Sequence, residues 1–519
     1  MTTQRPNIVW FITDDTSDEM LGYAGGKVLT PHIDSIAREG VVCTNYHTVS
    51  PACCPSRYSY LTGLYPSHCP DPRFQKSFAE DEPYNIKFNV ACTPAHPTIA
   101  SLLRDAGYRT GFVGKWHAGS SRRSLNNHEF GLDDDPRDPE VARKLREDHE
   151  AMQRELRSVG FDYADRIAWG NTDSRPVKAL RYHNLEWHTQ GALEFLDDCA
   201  GADRPFFLNM ATTTIHGPHH VASLETDGCE TELGMLDAMP DVQPSRRSVL
   251  ERLEQAGIER THRAAGALWT DDAFGAVMKR VEQMGVADNT LFIFSTDHGV
   301  GVTGGKFSCF QGGVRIPHAM KWNGHIEPGT TTDALLQNVD FLPTLLDAVG
   351  VATPEGVQID GVSHWNTLAG SPGDRDDLYF EWGYSRAVRT RKWKYIAYRP
   401  NAERVAAMKS GKVDRAYDFA GKPNADYPMH HYPHYFEPDQ LYDLENDPGE
   451  QNNLAPDPGH QSVLAEMQAL LRTYLSQSAR PFDLKRDEFL TSPEYEALKK
   501  VSLSDDSIYN NYYYLQDAY

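Results

Sequence analysis

Four runs of apolar residues, NIVWFI (7–12), YRTGFVG (108–114), PFFLNMA (205–211) and NTLFIFST (289–296), have the length and continuity of buried strands. Segments of helical period separate them. TPHIDSIAREG (30–40) reads as a helix with Thr30 as N-cap, Pro31 in its first turn and Gly40 as its stop. HPTIASLLRDAG (96–107) sets Ile99, Leu102, Leu103 and Ala106 on one face, and 262–285 repeats that stripe with Val277, Val281 and Met284. VDFLPTLLDAVG (339–350) predicts one more helix. Continuous apolar strands alternating with helices predict a mostly parallel sheet covered on both faces.

The pattern changes in two places. Between 133 and 155 the chain is dense in charge and predicts a solvated helical insertion without chemistry. Beyond about 370, LYFEWGYSRAVRTRKWKYIAYRP alternates aromatic, β-branched and basic residues as antiparallel strands do. The expected organisation is therefore a large α/β domain over 1–370 and a smaller C-terminal α+β domain over 371–519 built on an antiparallel sheet. The tail NNYYYLQDAY suits either a subunit contact in a homo-oligomer or the covering of a groove.

The chain has 519 residues and a net charge of −22, from 51 Lys and Arg against 73 Asp and Glu, which argues against coating nucleic acid or an anionic membrane. No run of about 18 apolar residues predicts a membrane span. The N-terminus MTTQRPNIVWFITDD lacks the pattern of an export signal, so the expected compartment is the cytoplasm, or the periplasm or exterior if a signal was trimmed. Eight scattered cysteines, without a CxxC pair, predict buried thiols rather than structural zinc.

In open α/β sheets ligands gather beyond the carboxyl ends of the strands. Here those ends carry Asp14-Asp15, Lys115-Trp116-His117, His216 and Asp297-His298. Any one of them alone is unremarkable, since an Asp pair often caps a turn and a lone His or Lys is often solvated. Together they bring three carboxylates, three imidazoles and an amine to one edge. Asp14, Asp15, Asp297 and His298 make a hard, oxygen-rich donor set suited to Ca²⁺, Mg²⁺ or Mn²⁺.

SPACCPSRYSYLTG (50–63) then supplies a long motif, C-x-P-S-R-x-x-x-L-T-G, through Cys53, Pro55, Ser56, Arg57, Leu61, Thr62 and Gly63. A register beginning at Cys54 would need Pro at 56 and Arg at 58, where Ser56 and Tyr58 stand. With GKWHAG, GGKFSCFQGGVRIP, DNTLFIFSTDHG and LYDLENDPGEQNNLA following in order over roughly 6–480, the sequence resembles the formylglycine-dependent (type I) sulfatases of the alkaline phosphatase superfamily. The resemblance implies an alkaline-phosphatase-like fold: a large mixed, mostly parallel sheet sandwiched by helices. It also implies hydrolysis of a carbohydrate, aryl or small alkyl sulfate monoester.

The same resemblance implies that Cys53 is oxidised by a formylglycine-generating enzyme to an aldehyde whose hydrate is the nucleophile. Asp14, Asp15, residue 53, Asp297 and His298 would then hold one divalent metal ion, Ca²⁺ first and Mn²⁺ or Mg²⁺ as alternatives. Arg57 and His117 would position or deprotonate the hydrate, Lys115 and Lys306 would neutralise the sulfate, and His216 would be the general acid. Two departures stand out. His298 occupies a position often held by Asn and shared with phosphonate monoester and phosphodiester hydrolases, the alternative activity. Gln311 replaces the usual Glu near Lys306. His219, His220 and the segment HHYPHYFEP (430–438) are open between lining the substrate opening and packing on the core.

Overall fold

The structure is a computed structural model that describes residues 5–78, 80, 82–119, 128–217, 219–300, 305–401, 405–406 and 428–484. Eight strands form the main sheet: β1 (Asn7–Thr13), β2 (Val41–Cys43), β3 (Arg109–Lys115), β4 (Tyr163–Ala168), β5 (Phe206–Ala211), β6 (Thr290–Thr296), β7 (His318–Lys321) and β8 (Thr330–Thr332). Their order is β8-β2-β7-β6-β1-β5-β3-β4. Strand β1 runs parallel to both neighbours, with Val9 opposite Leu208 and Phe292, while β7 pairs antiparallel with β2 and β6. The sheet is thus mixed but mostly parallel. The four apolar runs are the central strands β1, β3, β5 and β6.

Both faces of β1 are buried because its alternate residues enter different cores. Ile8, Trp10 and Ile12 pack with Cys54, Tyr60, Ile99 and Phe341 on one side. Val9 and Phe11 pack with Ile33, Leu196 and Phe274 on the other. Full burial of such side chains contributes about 1.5–3 kcal/mol each. The first face is covered by α1 (Cys53–Thr62), α2 (Ile99–Asp105) and α5 (Phe341–Ala348), the second by α4 (His262–Gln283) and by the helix Pro31–Arg38. In α2 the Thr98 side chain accepts from the Ser101 N–H and caps the helix.

The charged insertion differs from expectation. Its helix, α3 (Pro139–Ser158), buries Val141, Leu145, Met152 and Leu156, and Glu155 accepts a 2.8 Å bond from Trp116 Nε1. It is an amphipathic helix packed beside β4 rather than a solvated excursion. A four-stranded antiparallel sheet, Asp377–Trp382, Ser385–Thr390, Trp393–Tyr398 and Asp439–Asp443, forms the second layer system, with helix Gln461–Leu475 against it. Its aromatic residues share a core with Ala52, Phe307 and Phe310, so this sheet buttresses the segments on either side of the candidate site. The terminal NNYYYLQDAY lies outside the described residues.

Candidate active site

Helix α1 begins at Cys53, with Ala52 as an N-cap that makes no side-chain bond, so the positive end of the helix faces the strand ends. The two cysteines diverge. Cys53 Sγ lies 3.2 Å from His298 Nε2 and 3.6 Å from Asp14 Oδ1, whereas Cys54 Sγ turns to the Val90 carbonyl at 3.2 Å. All eight cysteines are buried and unpaired.

Opposite charges interleave around Cys53. Arg57 donates through Nε to Asp297 Oδ2 at 3.1 Å, sits 3.3 Å from Asp14 Oδ2 through its NH2 group, and reaches the Lys115 carbonyl. Lys115 Nζ is bonded to Asp14 Oδ2, and Lys306 Nζ grips both Asp15 oxygens at 2.7 and 2.9 Å. Three cations thereby balance three carboxylates in a largely buried space. Burial pushes the Asp14 carboxyl up, but Lys115 and then Arg57 overcome it and hold it well below the usual range. Asp15 is likewise held low, against burial, chiefly by Lys306. Burial and the Asp14 charge push the Cys53 thiol well above its ordinary value, so at neutral pH it remains a protonated, poor nucleophile. Burial, helped by Lys115, pushes His117 down and keeps it neutral.

The donor set suits a cation. Asp14, Cys53, Asp297 and His298 present ligand atoms within 4.8 Å of one another, and so do Asp14, Asp15 and His216. His298 Nδ1 donates to the Gly299 carbonyl at 2.7 Å, and Nε2 lies 3.2 Å from Asp15 Oδ1. An imidazole nitrogen this close to a carboxylate oxygen needs a positive centre between them, a proton or a bound cation. Carboxylate oxygens and one imidazole fit a hard divalent ion.

Backbone geometry concentrates at the same place. Asp15, His117 and Phe307 have φ values of 52°, 42° and 66°, left-handed conformations that cost a non-glycine residue about 1–2 kcal/mol. Strain beside Asp14, Lys115 and Lys306 is the usual mark of residues aimed for function.

The structure brings together Asp14, Asp15, Cys53, Arg57, Lys115, Asp297, His298 and Lys306, and sets His216 at the margin, 3.6 Å from Asp15 Oδ2 and partly exposed. His117 stacks on Phe88 at 5.4 Å. His220 is core rather than lining: it is 1 % exposed and stacks on His183 at 4.9 Å. Tyr432 and Phe436 are also buried, Tyr432 stacked on Phe310 at 3.8 Å, so these two rings pack inward while His431 is exposed. Near Gln311 a carboxylate comes from elsewhere: Glu450 accepts the Gln311 N–H and pairs with Lys394 at 2.9 Å.

Two asparagines have no place in the motifs. Asn338, fully buried, accepts the Val49 N–H at 2.8 Å and donates to Ser56 Oγ and Thr48 Oγ1, tying down the turn that presents Cys53. Asn171, just beyond β4, links Lys115 to His216. A cavity of about 580 Å³ beside Tyr23, Arg38 and Arg315 holds none of these residues.

A buried cysteine at a helix N-terminus, ringed by carboxylates and cations at the carboxyl edge of a mostly parallel sheet, is an arrangement able to receive an anionic ester beside a cation, on an alkaline-phosphatase-like fold. Residues 6–351 match the family described as Sulfatase, and residues 305–477 match the one described as N-sulphoglucosamine sulphohydrolase, C-terminal. The chain belongs to the type I sulfatase family and is a sulfuric ester hydrolase. It is 28 % identical to the ulvan-active sulfatase of Formosa agariphila over 75 % of this chain and 72 % of that protein. It is 26 % identical to an N-acetylgalactosamine-6-O-sulfatase of Bacteroides thetaiotaomicron over 81 % and 89 %. Among solved structures, one from a glycosaminoglycan-metabolising locus of Bacteroides thetaiotaomicron superposes with a TM-score of 0.61 at 23 % identity, covering 91 % of this chain and 99 % of that one. Another, described as a complex with its substrate D-glucosamine-2-N,6-O-disulfate, gives 0.60 at 19 % identity over 93 % and 100 %. No helix among the described residues is long and apolar enough to cross a membrane.

Proposed function

We propose that this protein hydrolyses the sulfate monoester of a carbohydrate, with an aldehyde hydrate derived from Cys53 as nucleophile. The observation that carries the reading is the closure of three carboxylates, His298 and three cations on Cys53. The sulfated-sugar activities named for its relatives favour a carbohydrate as the alcohol part.

Asp14, Asp15, Asp297 and His298, together with residue 53, would hold one divalent ion, which when bound lowers the pKa of a nearby hydroxyl and polarises sulfate oxygens. The remaining work falls to side chains. Arg57, clamped by Asp14 and Asp297, fixes the carboxylates and leaves its positive charge beside residue 53. Neutral His117 is suited to accept a proton from the hydrate. Lys115 and Lys306 offset the ester's negative charge: three cations already balance three carboxylates, so a divalent ion leaves the site positive overall, as an anionic substrate requires. His216, at the partly exposed margin, protonates the leaving oxygen, a contribution typically worth about 10²- to 10⁴-fold for a poor leaving group.

His298 favours one second reading, phosphonate monoester or phosphodiester hydrolysis on the same residues. Rates on N-acetylgalactosamine 6-sulfate, glucosamine 6-sulfate, 4-nitrophenyl sulfate and a phosphonate with the 4-nitrophenyl leaving group decide between them. Faster turnover of the sulfated sugars is expected; a phosphonate rate exceeding every sulfate rate overturns the proposal.

A further inference from the structure

Ser56, a motif residue, and Asn338, which belongs to no motif, form one buried chain that ends on Asp297. Ser56 lies in the first turn of α1, three residues after Cys53. Its hydroxyl donates to the Asp297 carbonyl, which can only accept, so its single proton is committed there. The lone pairs of the same oxygen face Asn338 Nδ2 at 3.0 Å and Thr48 Oγ1 at 2.9 Å. The Asn338 carboxamide cannot be reversed, because the Val49 N–H at 2.8 Å has only a proton to offer and so fixes Oδ1. Nδ2 is thereby turned to Ser56, whose carbonyl it also reaches at 3.1 Å. Thr48, Ser56, Asn338 and Asp297 are all fully buried, so bulk water cannot replace any of these bonds.

We propose that Asn338 is a positioning residue for the metal centre, which acts through the Ser56 hydroxyl to set the spacing between residue 53 and Asp297; the inference rests on the metal reading above. The Asp297 carboxylate is gripped by Arg57 and by the N–H groups of Asp15 and His298. Arg57 reaches it from α1 on a long side chain with several free torsions, whereas Ser56 holds the Asp297 backbone on a side chain with one. The short link is the one that fixes a distance. It holds only while Asn338 fills a lone pair of the Ser56 oxygen. With that donor gone, the hydroxyl is free to turn toward Thr48, and the Asp297 carbonyl is left buried without its partner, which a buried acceptor does not tolerate. Asp297 then drifts from residue 53. Residues that support metal ligands in this way typically change metal affinity by about 10- to 100-fold.

Ca²⁺ affinity, measured by titration calorimetry on the protein with residue 53 still cysteine so that maturation is not a variable, separates positioning from stability. Asn338→Ala and Ser56→Ala are each expected to weaken binding by about 10-fold or more. The double variant is expected to bind within about twofold of Ser56→Ala, because effects that share one path do not add. Asn184→Ala is the control. That asparagine is equally buried, and its bonds run to Trp187, Gly228 and Glu230, so its loss should lower the melting temperature and leave Ca²⁺ affinity unchanged. Losses that multiply in the double variant overturn the proposal, and so does an Asn338→Ala protein that melts lower but binds Ca²⁺ as wild type does. Amide hydrogen exchange of the metal-free protein reads the same chain without the ion. Exchange at the His298 N–H, bonded to Asp297 Oδ1 at 2.9 Å, should quicken in Asn338→Ala and not in Asn184→Ala. Equal exchange in the two variants overturns the proposal. If the wild type binds none of Ca²⁺, Mn²⁺ and Mg²⁺, the metal reading itself fails, and exchange alone then decides whether Asn338 holds Asp297.

Discussion

Gly114, at the end of β3, sets the reach of Lys115 and His117, and Gly114→Ala tests how tightly that reach is fixed. At φ 93° it sits opposite Ala211 of β5, at a register shift between β3 and β4. An added Cβ would meet the Ala211 carbonyl oxygen at 1.7 Å, where real contacts do not fall below 3.0 Å, so the strands must part by about 1.3 Å. Lys115 is the next residue and moves with the backbone. A misplacement of about 1 Å at a reacting centre costs on the order of 10²-fold in rate. Gly107 supplies the control: its φ is 97°, and its added Cβ would meet nothing within 4 Å. Both alanine variants pay the left-handed backbone cost of about 1–2 kcal/mol, and Gly114→Ala, which also parts two paired strands, should melt below Gly107→Ala. Only Gly114→Ala should lose activity, by about 10²-fold in kcat, while Gly107→Ala stays within roughly threefold of wild type. A Gly114→Ala enzyme as active as Gly107→Ala would refute the claim that strand spacing positions the cations.

Two further outcomes follow from buried charge. His68 Nδ1 lies 2.7 Å from Asp360 Oδ2, and although burial opposes protonation, that carboxylate raises the ring above 6.5. Its contribution is complete below the unfolded value of 6.5 and is lost as pH rises through the raised folded value, so melting temperatures of wild type and His68→Asn should differ most in acid and converge in alkali; a gap that widens toward alkali contradicts the assignment. Removing divalent metal with a chelator should lower the melting temperature as well as activity, because an ion held only by the folded site stabilises that fold by mass action, and re-addition of Ca²⁺, Mn²⁺ or Mg²⁺ singly should rank the ions by recovery of both. Unchanged melting after chelation would remove the metal from this site.

The central fold was readable because β1, β3, β5 and β6 are buried on both faces and so carry apolar runs through their middles. Strands β2, β7 and β8 are only three or four residues long, below what an apolar run can signal. Strand β4 carries Asp165 and Arg166 among its residues, which disguised it, and with it was lost Asn171, which the rule of strand ends would otherwise have singled out. Charge hid the buried face of α3, though not its helical character, even as Val141, Leu145, Met152 and Leu156 keep helical spacing. Asn338 could not be read at all: its partner Val49 is 289 residues away, and only the packed fold puts its carboxamide beneath the turn before Cys53. Asp14-Asp15 and Asp297-His298 were legible because each follows an apolar strand directly, and His216 because it lies a few residues beyond one.

The proposed reaction depends most heavily on residue 53, and the most direct measurement is the mass of the peptide containing it after co-expression with a formylglycine-generating enzyme, taken alongside sulfate release by wild type, Cys53→Ala and Cys54→Ala. The prediction is formylglycine at 53, no turnover in Cys53→Ala, and most of the wild-type rate in Cys54→Ala, whose thiol points to Val90 instead of the carboxylates. Full turnover by a protein whose residue 53 is still cysteine, or an active Cys53→Ala beside a dead Cys54→Ala, would contradict it.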